Sequence, residues 1–178
     1  MFKRILLLSL VFLFASQYSF SKTKTFNDHG ITLEYPANYN INSGTAPQGY
    51  KFVYLKSPGS NISIQIFPLA ISDSLRGTYL KSFEGTLKKG GATLSDTNQT
   101  KRRITINDST VKGGTIRVDA VAYRTTFSND KGNKGKTQIF FFSYREKGYV
   151  VAFTHNAAIN RNKDFKVVVR SFTILPGK

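Results

Sequence analysis

Two histidines, ten acidic residues and no cysteine bound the chemistry open to this 178-residue chain. Thiolate metal sites and thiol nucleophiles are excluded. A metal centre would have to join His29, His155 and a carboxylate such as Asp28, and the two histidines stand far apart in the sequence. Each is flanked by polar residues near the end of an element, the setting of a surface histidine. There is no Gly-x-Ser-x-Gly elbow and no His-Glu-x-x-His. Gly113-Gly114 and the Gly132/Gly135 loop lack the following helix that a phosphate cradle needs, and read as turns. One hydrolytic reading remains, with Asp119 and Glu34 as two acids in one cleft. Asp119 sits in an apolar-alternating stretch, where an outward pairing with Arg117 or a lysine is the simpler account. The expectation is a protein that is not an enzyme, with no catalytic, metal or cofactor residues.

Basic clusters are the better site candidates. Lys101-Arg102-Arg103 precedes an apolar stretch. Lys131, Lys134 and Lys136 surround one loop, and Arg161, Lys163, Lys166 and Arg170 follow one another near the C-terminal side. An arginine can grip carboxylate or phosphate as a two-pronged fork. A run of charge can also be only a solvated face, so these ten residues are possible contacts to an anionic partner rather than a defined pocket.

Apolar spacing supplies the elements that must position them. Ile31–Tyr35 alternates as a half-buried strand does, and Pro36 ends it. Residues 50–56 and 61–67 alternate likewise, with Ser57-Pro-Gly-Ser60 as a hairpin turn. From Ser72 to Lys89 the period changes: Leu75, Tyr79, Phe83 and Leu87 fall four apart, on one helix face. Ser72 or Asp73 can cap the start, and Gly90-Gly91 the stop. Strands are then expected over Arg102–Ile106, Thr115–Phe127, Lys136–Arg145 and Tyr149–Thr154, with Glu146-Lys-Gly148 as a tight turn. Ile139–Phe142 and Val150–Phe153 are apolar on both sides, so these strands should be central and covered on both faces. Phe165, Val168, Val169 and Phe172 form a last helical stripe, with Asn160 or Asn162 as caps. The β-branched run Val167–Val169 keeps a strand open there. The order strands, helix, strands, helix predicts an α+β domain, a mostly antiparallel sheet with helices packed on its faces.

The first twenty-one residues address location. Lys3 and Arg4 precede an apolar run, Ile5–Phe14, broken only by Ser9, and small residues Ser19 and Ser21 precede Lys22. This is the layout of a secretory signal peptide, 1–21, followed by one domain, 22–178. The run is too short to span a bilayer, which takes about 20 apolar residues, and no later segment is apolar enough. The expected destination is the periplasm or the exterior. Without the two cations of the signal peptide, the net charge falls from +16 to +14. Such a chain favours anionic partners. Export argues against nucleic acid and leaves envelope proteins, anionic lipid and acidic glycans.

Gly30-Ile-Thr-Leu-Glu-Tyr-Pro-Ala-Asn-Tyr39 resembles the opening of PsbP-like domains, in which a strand ends in Tyr-Pro and an aromatic follows, usually Trp and here Tyr39. Phe165-Lys-Val-Val-Val-Arg-Ser-Phe172 resembles their closing helix. The resemblance implies an α-β-α sandwich and a binding or assembly factor, since the family shares no general catalytic motif. The expected function is therefore an exported, non-catalytic module docking on an envelope protein or complex through a basic surface.

Overall fold

The computed structural model describes residues 22–130, 132–158 and 161–176. The signal-peptide reading, Lys131 and the cap candidate Asn160 lie outside the described residues. The strands are β1 (Thr23–Asp28), β2 (Ile31–Pro36), β3 (Asn40–Thr45), β4 (Lys51–Ser57), β5 (Ser60–Phe67), β6 (Ala92–Asp108), β7 (Thr115–Asn129), β8 (Lys134–Tyr144), β9 (Lys147–Asn156) and β10 (Thr173–Ile174). Helix α1 (Asp73–Lys89) lies between β5 and β6, and helix α2 (Asn162–Ser171) between β9 and β10. All these strands form one sheet, ordered β1-β2-β10-β6-β7-β8-β9-β5-β4-β3. Every pairing is antiparallel except that of β10 with β6.

Alternation along the central strands divides side chains between two faces. Cross-strand partners share a face. Ala120, Phe142 and Tyr149 are partners, as are Val121, Phe141 and Val150. The first set packs with Val168 and Phe172, and the second with Leu80 of α1. Ile31 and Leu33 of β2 share the α2-side core with Val53 and Leu55 of β4, although β2 and β4 stand near opposite ends of the strand order. The sheet is therefore curled into a half-barrel, with α2 inside the curl.

Helix α1 forms as its spacing requires. The Ser72 hydroxyl accepts the Leu75 N–H at 3.1 Å, and Gly90 ends the helix. Tyr79 meets Phe141 edge-on at 5.4 Å, and Phe83 meets Tyr123 at 6.4 Å, so the aromatic stripe packs on the sheet. In α2, Phe165 stacks on Phe153 at 4.7 Å and on Phe140 at 6.3 Å. Full burial of Val168 on the sheet keeps the β-branched run helical. Asn162 is the first helical residue, not the cap, and Arg161 at the cap position makes no side-chain capping bond. Val169 is half-exposed rather than part of the core.

The expected α+β class and the α-β-α sandwich are both corrected by this architecture. Strands take 58% and helices 18% of the described residues, which makes the protein mostly β. The two helices are single rods on a large curled sheet, not layers. Curling lets strands from both ends of the sheet bury one another's apolar residues around α2, so no second helical layer is required. Polar strands account for much of the excess. β1 and β3 are almost entirely exposed, and β6 runs 17 residues instead of the five expected, because Thr93–Arg103 has no apolar alternation to reveal it. β10 pairs with β6 only at Asn107 and Asp108, so among the described residues the strand from Ala92 to Ile106 has β7 on one side and no strand on the other.

Candidate functional site

Register decides where the basic candidates go. Arg102 pairs with Ala120, and Lys136 with Thr126, both in line with residues of the α2 side. Because Phe140 stacks on Phe165, the same alternation brings Lys134, Lys136 and Gln138 of β8 to that face. Lys163, Lys166 and Arg170 are exposed on the outer side of α2, at spacings of three and four. These residues join Arg102, Lys134 and Lys136 on one face, and among the described residues none of the six has an ion-pair partner. Arg161 does: its Nη1 lies 3.4 Å from Asp164. The contiguous run Lys101-Arg102-Arg103 is split, because Lys101 and Arg103 point to the α1 side, where Arg103 pairs with Asp119 at 3.3 Å.

Arg124 belongs to the same face and was missed in the sequence reading. It pairs in register with Gln138 and, in the amide orientation that satisfies both groups, donates to the Gln138 side-chain oxygen from Nε and Nη2 at 3.2 Å. Only the β7–β8 register could have joined it to Lys136. Arg124, Lys136, Gln138, His155 and Asn162 line a recess of about 310 Å³ at the start of α2. Farther along the helix, Ile104, Phe140, Val168, Val169 and Phe172 line an apolar cavity of about 60 Å³.

A second charged centre sits at the other end of β9. Asp108 is fully buried, yet ionised. Burial pushes its carboxyl up, but a 2.7 Å hydrogen bond from the Tyr144 hydroxyl, two of 2.8 Å from the Thr110 N–H and hydroxyl, and the Arg145 guanidinium at 3.0 Å outweigh burial and hold it below the usual carboxylate range. Arg145 Nη2 also donates to the Thr110 hydroxyl, and its guanidinium lies 5.3 Å from the Tyr144 ring centre. The turn that carries it is Arg145-Glu146, both in the left-handed region at φ 51° and 62°, one residue before the expected Glu146-Lys-Gly148. Arg145, Lys51, Lys147, His29 and Tyr149 line a cleft of about 750 Å³ between the β1–β2 and β8–β9 turns, at one end of the curled sheet.

The histidines are not the surface pair expected. His155 is buried and stacked on Phe153 at 4.8 Å. His29 holds a left-handed backbone, and its enclosed Nε2 has no hydrogen-bond partner among the described residues. They stand at opposite ends of the concave face, since His155 ends the β9 run that starts beside His29 at Tyr149, about 20 Å of strand away. Asp119 and Glu34 do not share a cleft either. β10 and β6 intervene between their strands, about 14 Å of sheet. Among the described residues, no helix is long and apolar enough to cross a membrane.

No family model and no curated protein matches the sequence. Solved structures similar to it include a protein from Bacteroides thetaiotaomicron, 14% identical with a TM-score of 0.49 over 86% of this chain and 48% of that one. They also include cyanobacterial PsbP from Synechocystis, 14% identical with a TM-score of 0.48 over 89% of this chain and 95% of that one. The chain spans about half the length of the Bacteroides protein.

Proposed function

We propose that the chain is an exported, non-catalytic binding module that docks on an acidic protein or complex of the cell envelope through its α2 face. One observation carries the reading: Arg102, Lys134, Lys136, Lys163, Lys166 and Arg170, from three elements, share a face without ion-pair partners among the described residues, around the apolar surface at Val169 and Phe140. An apolar centre with a charged rim is the make-up of a protein interface. Unpaired cations on the rim steer an acidic partner and speed its encounter. Anionic lipid or acidic glycan would use the same cations but not the apolar centre.

The test is affinity capture from the native envelope fraction at low and high salt, with three baits: the wild type, a Lys163→Glu/Lys166→Glu/Arg170→Glu variant, and a Lys88→Glu/Lys89→Glu control on α1. The expected result is one defined protein retained at both salts by the wild type and the control and lost by the triple variant. Recovery of only lipid, glycan or mixed acidic proteins, and only at low salt, would replace docking by surface electrostatics. Saturable turnover of any substrate by the purified protein would overturn the non-catalytic part.

A further inference from the structure

We infer that the cleft between the β1–β2 and β8–β9 turns is a binding site for a small organic carboxylate with an apolar body. It is distinct from the α2 face and does not depend on the docking reading. Three observations converge there.

The first is a guanidinium fixed in place. Arg145 is tied through Nη2 to Asp108 and Thr110 and set beside the Tyr144 ring, while Nε and Nη1 make no hydrogen bond among the described residues. A guanidinium so held is pre-organised to receive a carboxylate on its remaining donors. It is held there by a turn with two non-glycine residues in the left-handed region, a conformation that surrounding contacts must enforce.

The second is an unused donor in the floor. Tyr149 is 2% exposed, its ring stacks on Phe142 at 5.0 Å and meets Phe172 edge-on, yet its hydroxyl makes no hydrogen bond among the described residues. The hydroxyl is the side chain's one polar atom and opens on the cleft. Here the ring is locked and the hydroxyl is left for a ligand acceptor.

The third is the lining. Lys51 and Lys147 add two exposed cations at the rim, against one acid, Asp28, which engages His29 at 3.5 Å. Ile66, Ile174, Leu175 and Pro176 form an apolar side of the lining, with Asn27 as a further polar residue. Cations beside an apolar wall fit an acid with a hydrocarbon or ring body better than a bare inorganic anion.

The test is titration of the purified protein with sodium hexanoate, followed by amide chemical shifts, with hexanol and inorganic phosphate as controls. The expected result is saturable shifts at Arg145, Tyr149, Lys51 and their neighbours with hexanoate alone, and a dissociation constant raised about tenfold by Tyr149→Phe, which keeps the ring and removes only the donor. Lys51→Gln, at an exposed position, should weaken binding in the same direction and serves as the second variant should Tyr149→Phe not fold. No saturation with hexanoate would overturn the inference. So would equal binding of hexanol or phosphate, or unchanged affinity in the folded variants.

Discussion

The guanidinium of Arg145 lies 3.0 Å from the carboxylate of Asp108, a side chain with no exposed surface. The pair ties the β8–β9 turn to the end of β6. Asp108→Asn keeps the volume and removes the charge that four groups address. It should cost about 2–3 kcal/mol at neutral pH, read from urea unfolding. The pH dependence has a definite sign. The folded carboxyl is held below its ordinary value of 3.8, so its stabilisation is complete above that pH and fades as the pH falls through the lower folded value. Wild-type stability should therefore drop more steeply than that of Asp108→Asn below about pH 4. Parallel acid profiles would remove Asp108 from this role.

The same turn should be improvable. Glu146 holds φ 62°, where an L side chain costs about 1–2 kcal/mol and glycine costs little. Two-residue hairpin turns of this kind favour glycine at the second position. Glu146→Gly should stabilise the fold by about 0.5–1 kcal/mol and raise the melting temperature by a few degrees. An unchanged or lower melting temperature would contradict it.

Gly148, two residues after Glu146, tolerates no side chain. A Cβ there would stand 2.7 Å from the Leu69 carbonyl oxygen and 2.6 Å from Ile71 Cδ1. The carbonyl belongs to backbone and cannot rotate away, and Ile71 is held through its N–H to the Ser143 hydroxyl at 2.8 Å. Gly148→Ala should destabilise by about 2 kcal/mol. Denaturation midpoints within error of the wild type would show that the β5–α1 connection yields freely.

Three phenols should titrate late. Burial pushes Tyr79, Tyr123 and Tyr149 up to about 12, and for Tyr123 the hydrogen bond to Glu84 at 2.8 Å adds to it. The fold favours their neutral form, so that stabilisation is full below pH 10 and is lost as the pH rises towards 12. Absorbance at 295 nm should show a first set of tyrosines ionising near pH 10 and a second rising together with unfolding. A single transition at the ordinary value would refute the burial of these rings.

Much of this architecture was legible where burial dictates residue type. β4, β5, β7, β8, β9 and both helices follow from apolar spacing, because each must hide one face or both. β1, β3 and the first half of β6 did not, since backbone pairing holds them and their side chains stay in water. The curl was equally hidden: no local pattern announces that Ile31 will share a core with Val53. His155 was read as a surface residue because its neighbours in sequence are polar, whereas its cover comes from Phe153 beneath it in space. The candidate site shows the same divide. The basic residues of α2 were found by composition. Arg102 was separated from Lys101 and Arg103 only by the period of two, and Arg124 and Arg145 gained meaning only from register and from a distant buried acid.

The short pairing of β10 has a consequence for the order of events as the chain is made. β2 precedes the central strands in the chain, and it joins the rest of the sheet through β10 and through α2, which also meets it where the Ser171 hydroxyl accepts the Glu34 N–H at 2.8 Å. Until residues 162–174 have emerged, the N-terminal β1–β2 hairpin has no neighbour in the sheet. The curl cannot close, and the core around Val168 stays open to water. Closure of the curl thus waits on residues 162–174, a contact distant in sequence from β2, and until it forms the earlier strands make an unfastened sheet.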